Sequence, residues 1–583
     1  MKDNFMKKNK NKIFLSLIII LLFSLTLNTA TAKAININDA SSYNQTDLSL
    51  SEQIQAIINN ANAGDTINFL GNYYKDLTLI INKNINIISK VGTTISNSNL
   101  NSSQNTIFFI NGSSSSGTNI SGFNLINNNT NGNGITINNT KNIKVAKNNI
   151  KADNSGVYVD KGSNITVNDN NITKSEKGVY IKNSKDINIE KNSISENNEG
   201  ISVENTNNTN IKSNAITKSE KNGITIKNTR KTVIGSNSIT QNKKNGIYSY
   251  NTVNTQITSN NIKKNVESGI LTEGYLKDLI MKGNNVSGNY YGIRLNSIDN
   301  SGLTMRSNSI NNNYQGLSFG SNYEDHSSKD ISSNDISQNE DKDVDARESK
   351  YDGNLKIGPN WYGANEYGYV NICHKIDTNL IQFKFVKNGN GKYTATLTYN
   401  GIIMSDLPQM NLLIEVNGKT MWVTLNGGEA DVDLGSDFDK KNKDSIINTY
   451  LSGNLQGKLR ITDDKNDNKN PIVGGNNNLG NGGLGGNGPG GNGLGNLQGN
   501  GLTPSGATGP TSTPSNTGSP SSKGENSQNS QQQSQQAKEI FIDDNNILKM
   551  DDTRVLTGFI IILLFGSIII GYIVRNRAKE NSF

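Results

Sequence analysis

Residues 178–194 read Gly178-Val-Tyr-Ile-Lys-Asn-Ser-Lys-Asp-Ile-Asn-Ile-Glu-Lys-Asn-Ser-Ile194. Apolar and polar residues alternate, and the apolar ones are mostly β-branched. That period of two marks strands with one buried face. Asn, Ser and Lys interrupt it every few residues, so the stretch is three short strands joined by tight corners. The unit recurs on both sides. Its leading glycine returns as Gly134, Gly156, Gly178, Gly200, Gly223, Gly246, Gly269, Gly292 and Gly316, at gaps that lengthen from 22 to 24 residues. A second-strand column keeps step: Ile143, Ile165, Ile187, Ile211, Val233, Ile257, Leu279, Leu303, Ile331. A third runs Ile150, Ile172, Ile194, Ile216, Ile239, Ile262, Val286, Ile310, Ile336.

A fixed period in this range means a solenoid. Strand-only content makes it all-β: a right-handed, single-stranded parallel β-helix. Each strand pairs with its copy one winding away, about 4.8 Å off, and the isoleucine columns meet in a continuous core. The Leu-x-x-Leu-x-Leu consensus of leucine-rich repeats is absent. Irregular strands between Thr66 and Phe123 add two or three early windings, for a total of about 11–12.

Another column sits two residues before each third-strand apolar position: Asn148, Asn170, Asn192, Asn214, Asn237, Asn260, Asn284, Asn308, Asn334. Asn tolerates the left-handed backbone of a sharp corner. Stacked in register, each amide can donate to one neighbour and accept from the other. The column reads as a structural ladder.

Outward from the repeat, residues 51–63 show helical spacing at Ile54, Ile57, Ile58 and Ala61. A helix there would cover the first winding and shield its open edge. The β-helix is placed at 35–363. Residues 323–350 break the pattern with an acidic group, Glu324, Asp325, Asp330, Asp335, Glu340, Asp341, Asp343 and Asp345. A solvated loop is the plain reading and a calcium site the sharper one; no calcium-binding motif is present, and no other cofactor or metal is implied. Asn360-Trp361-Tyr362-Gly363 places aromatics where the stack needs a lid. Residues 369–462 alternate as strands, with an Asn417-Gly418 hairpin, and suggest an immunoglobulin-like β-sandwich.

Lysines before an apolar run at Ile13–Leu27, then Ala30-Thr31-Ala32, make residues 1–34 a secretory signal peptide. Residues 463–552 are Gly/Asn-, Pro/Ser/Thr- and Gln/Ser-rich and lack the apolar content to fold. Residues 555–574 carry no charge and are long enough to span a bilayer. Arg575, Arg577 and Lys579 follow, which places the tail 575–583 in the cytoplasm and nearly all else outside. The two ends also carry most of the net charge of +7, so no nucleic-acid partner is implied. Cys373 is the single cysteine, which excludes an internal disulfide.

The helix with Gly64-Asp65-Thr66-Ile67, the Gly-Ile-x-Ile and Asn-Ile coils and the closing Asn360-Trp361-Tyr362-Gly363 resemble the adhesin-like surface proteins of methanogenic archaea. The resemblance implies a secreted β-helix of the pectate-lyase-like class, an immunoglobulin-like domain and a C-terminal anchor. It implies no catalytic residue.

The candidate surface is the outward side of the first strand. One column reads Thr136, Tyr158, Tyr180, Ser202, Thr225, Tyr248, Leu271, Arg294, Ser318; the next reads Asn138, Asp160, Lys182, Glu204, Lys227, Tyr250, Glu273, Asn296, Gly320. Asp160, Lys182, Glu204 and Lys227 alternate in sign, as a stabilising charge ladder would. Tyr158, Asp160, Tyr180, Lys182, Glu204, Tyr248 and Arg294 would bind glycans, the rings by stacking and the charges by gripping hydroxyls. Hydrolysis would need a protonated carboxylic acid, which Lys182 between Asp160 and Glu204 opposes. His326 and His374 lie outside the regular coils. The expectation is a non-catalytic surface adhesin that binds glycans or neighbouring cells. A polysaccharide lyase or hydrolase and a purely structural envelope protein are the alternatives.

Overall fold

A computed structural model describes residues 32–43, 47–98, 105–325, 328–350 and 354–461. Residues 1–31 of the expected signal peptide, the linker, the apolar span and the tail lie outside them, as does His326. Among the described residues no helix is long and apolar enough to cross a membrane.

The chain winds as a parallel β-solenoid. First and second strands stack into one 22-stranded sheet and third strands into an 11-stranded sheet. Bridges at Asp335 and Trp361 extend the third-strand sheet. That makes about thirteen turns, more than the 11–12 expected. The extra winding is the segment around Asn360-Trp361, which is part of the stack and not a lid on it.

The third-strand column pairs in register from Ile150 to Ile310 and is buried throughout. The second-strand column differs from the sequence reading. Ile187 pairs with Thr209, which pairs with Thr232, while Ile211 pairs with Ile189 and Ile234. Val233 is not in the core. Buried threonines occupy the inner position for several windings, so counting isoleucines slips the register by two residues and then flips a face.

The leading glycines have a packing cause. A Cβ built on any of them from Gly134 to Gly316 would lie 2.4–2.8 Å from a carbonyl oxygen of the next winding. The left-handed corner is also not where it was expected. The residue before each ladder Asn carries it: Lys147, Asp169, Lys191, Ser213, Ser236, Ser259, Ser307 and Ser333 have φ of 55–57°. The ladder Asn themselves have ordinary φ, because their task is side-chain bonding.

At the N-terminal end, Ala34–Ile37 pairs in parallel with Thr66–Phe69, so the fold starts one residue before the boundary placed at 35. The helix spans Leu50–Asn60, not 51–63, and Ser49 and Glu52 form a capping box. Ile54 and Ile58 enter the core of the first windings.

After residue 376 two antiparallel four-stranded sheets enclose a second core. One holds Gln382–Gly389, Lys392–Tyr399, Ile402–Ile403 and Glu429–Asp433. The other holds Met410–Val416, Lys419–Leu425, Ile446–Leu451 and Asn454–Arg460. Trp361 belongs to this second core, and its Nε1 donates to Ser452 Oγ at 2.9 Å. Tyr362 turns the other way, into the β-helix core. These adjacent side chains thus bind the stack to the antiparallel sheets. Ile372, Ile376, Asp377 and Leu380 still pair in parallel with the windings, so the stack runs past the end expected at 363 and the antiparallel strands begin later than 369. Arg306 Nη1 on Asp406 at 3.0 Å and Gln456 Nε2 on the Gly363 carbonyl at 2.7 Å add polar contacts.

Candidate functional site

The outward first-strand column is in register: Thr136, Tyr158, Tyr180, Ser202, Thr225, Tyr248, Leu271, Arg294, Ser318. Register alone does not make one strip. Ser202 and Thr225 are buried under their neighbours, and they divide the face into two patches.

In the first patch the Tyr158 and Tyr180 ring centroids are 5.4 Å apart, tilted by 34°. Lys182 Nζ lies 3.9 Å from Asp160 Oδ2. Tyr180 Oη donates to Glu204 Oε2 at 3.0 Å. Burial, with Glu204 beside it, pushes the Tyr180 hydroxyl well above the usual phenol range. The Lys182 ammonium is held up by its hydrogen bond to Tyr158. The predicted alternation of charges is only partly realised. Glu204 has Lys177 as its ion-pair partner, at 3.8 Å, and Lys227 reaches toward the Tyr248 ring, 5.9 Å from its centroid. Lys177 was missed because it precedes the leading glycine and belongs to neither column. It also sits 3.5 Å over the Tyr180 ring centroid and covers that face.

The second patch holds Tyr248 and Arg294. Tyr248 Oη donates to Glu273 Oε2 at 2.9 Å, and Asn296 Nδ2 donates to Glu273 Oε1 at 3.2 Å. Arg294 pairs with Glu348 and lies 4.4 Å over the Tyr291 ring. Its charge is therefore engaged within the protein. His374 is exposed.

The buried amides form hydrogen-bonded rows. Each Asn from Asn148 to Asn334 donates both its backbone N–H and its Nδ2 to the Oδ1 of the next winding, as Asn192 does to Asn214 at 2.9 and 3.0 Å. Asn360 accepts from Asn334 and extends the row. A second row, unforeseen in the sequence, follows five residues later. Asn242, Asn265, Asn289, Asn313 and Asn339 bond in series and end on the Asp343 carboxylate. The Asn-x4-Asn spacing was its signal.

The acidic segment is not a solvated loop, because the windings continue through it. Asp335, Asp343 and Asp345 are buried. Asp330 pairs with Arg306, Asp341 and Asp345 pair with Arg347, and Asp325 pairs with Lys329. Among the described residues no three acidic, His or Cys side chains converge as metal ligands. Burial pushes the Asp343 carboxyl up to about 7 and Asp335 up to about 6, from an ordinary 3.8. Between these values the folded chain holds protons that the unfolded chain has released. Stability from these groups is full below the ordinary value and is lost as pH rises toward 7. Asp343→Asn should therefore raise the melting midpoint at pH 8 by a few degrees and leave it nearly unchanged at pH 5. Thermal melts at both pH values check this; an equal shift at both would refute a protonation effect.

Residues 116–280 match the model of the NosD family, described as a periplasmic copper-binding protein. No curated protein matches the chain. The A-module of the mannuronan C-5 epimerase AlgE4 of Azotobacter vinelandii is 14% identical, with a TM-score of 0.35, over 48% of this chain and 94% of that one. PfbA, a surface adhesin of Streptococcus pneumoniae, is 11% identical, with a TM-score of 0.39, over 65% and 99%. The Dettilon tailspike protein is 13% identical, with a TM-score of 0.38, over 74% and 92%. The chain is thus similar in part to the NosD family, over its regular windings.

Proposed function

We propose that this chain is an adhesin-like cell-surface protein of the kind found in methanogenic archaea. In this reading the β-helix is a rigid rod that binds glycans, the sandwich is an immunoglobulin-like spacer, and residues 463–574 tether and anchor both to the membrane. The observation that carries it is the first patch. There two tyrosines, two lysines and two carboxylates converge over three neighbouring windings on the outward face. Paired rings beside flexible charged groups suit polyhydroxylated ligands. Each carboxylate faces a lysine, and Glu204 also accepts from the Tyr180 hydroxyl.

Copper does not fit the matched stretch. Residues 116–280 contain no His, Cys or Met, the nitrogen and sulfur donors that copper prefers.

Glycan-array binding by the full chain, set against a Tyr158→Ala/Tyr180→Ala variant, tests the proposal. Loss of several bound glycans, with an unchanged thermal melt, is the expected result. An array left blank by the wild-type chain would favour the structural-envelope reading.

A further inference from the structure

The corner between the third strand and the next first strand carries one position that changes character along the rod. It follows the second amide row and reads Glu176, Asn198, Glu220, Lys243, Val266, Tyr290, Tyr314, Glu340. In the early windings its charges are paired. Lys221 lies 3.9 Å from Glu176, and Lys243 lies 2.6 Å from Glu220. For three consecutive windings it then turns apolar. Val266 is 64% exposed, Tyr290 46% and Tyr314 37%. The Tyr290 and Tyr314 rings stack at 4.7 Å and 30°. Tyr291 braces Tyr290 edge-on at 4.7 Å and is itself covered by Arg294. A groove of about 630 Å³ runs past them and is also lined by Lys264, Gln338 and Glu340.

We propose that this groove is a second glycan-binding site, for an extended, uncharged polysaccharide. It is separate from the first patch and stands without it. Three features favour this occupant. Here no lysine covers the stacked rings, in contrast to Tyr180, so sugar C–H faces can rest on them. The side chains of Lys264, Gln338 and Glu340 make no hydrogen bond or ion pair with other described residues, which leaves donors and acceptors for hydroxyl groups. The two charges among them are of opposite sign and give no net field to select a charged polymer. The floor is preorganised, because Asn265, Asn289 and Asn313 are each locked to the next winding at 2.9–3.1 Å. That same saturation leaves no main-chain edge in the floor for an extended peptide to pair with. The Tyr290 and Tyr314 rings cover each other's facing sides, so a sugar meets the outer faces and edges of the pair.

The test is calorimetric titration of the full chain with cello-, xylo-, manno- and laminari-hexaose, and with an oligogalacturonate. At least one uncharged hexasaccharide should bind. Tyr290→Ala/Tyr314→Ala should weaken it about tenfold or more, the equivalent of one lost stacking contact. The same loss should appear on a Tyr158→Ala/Tyr180→Ala background, where the first patch cannot contribute. Three outcomes would overturn the proposal: no uncharged hexasaccharide bound, binding only of the galacturonate, or binding indifferent to the Tyr290/Tyr314 change. A fourth would replace it. If sedimentation shows self-association that Tyr290→Ala/Tyr314→Ala abolishes, and no sugar binds, the groove serves contact between copies of this chain.

Discussion

Replacing Asn214 with leucine is expected to destabilise the middle of the rod by about 3–5 kcal/mol. Asn214 lies inside the first amide row, with bonded members on both sides. Its Oδ1 accepts from the Asn192 backbone N–H at 2.9 Å and from Asn192 Nδ2 at 3.0 Å. Its Nδ2 donates to the Ile189 carbonyl at 2.8 Å and to Asn237 Oδ1 at 3.1 Å. Leucine has nearly the same volume and none of these atoms. The Asn192 N–H would then be left buried and unbonded, and the Ile189 carbonyl would lose a donor. Each orphaned group costs about 1–3 kcal/mol. Because windings contact only their neighbours, the loss should stay local. Hydrogen exchange should accelerate in residues 187–240 and remain slow near Ile81 and Ile310. Unchanged protection around Asn192 would show that the row is dispensable.

Gly200→Ala is the second large effect, expected at about 3 kcal/mol or more. The added Cβ would sit 2.4 Å from the Gly223 carbonyl oxygen and 2.7 Å from Ile216 Cγ2. The carbonyl is held in place, because it accepts from the Ile201 N–H at 2.9 Å. Backbone of two windings would have to part, and a flexible side chain cannot relieve that. Gly368→Ala serves as the control, since its Cβ would meet nothing within 4 Å. Denaturant midpoints of the two variants decide the matter. Equal midpoints would mean that the windings can separate at little cost.

Most of the β-helix was legible because a solenoid repeats its packing problem. Glycine is needed wherever one winding touches the next, isoleucine wherever the core is dry, and asparagine wherever a corner amide must be bonded. Each need therefore appears as a column with a period. The two ladders differed in legibility. The first accompanies an unbroken isoleucine column, while the second begins with Ser175 and Ser219 among its members and hides among other asparagines. Aromatic residues showed the same limit. Tyr158 and Tyr180 stood out beside a core strand, whereas Tyr290 and Tyr314 sit at a corner whose other windings carry charges.

By itself, the amino-acid order determined the parallel coil, its winding length, the outward first-strand columns and a later change to antiparallel strands, placed at 369 where the structure begins it at Gln382. These depend on local alternation and on period, both of which are properties of sequence. Only the tertiary structure decided that Thr209 and Thr232 take core positions, that Trp361 anchors the sandwich while Tyr362 fills the rod, that Glu204 pairs with Lys177, and that Asp335 and Asp343 are buried. In each case the deciding neighbour is brought close by stacking or docking. Which of several polar side chains it meets depends on a register that slips when the winding length changes.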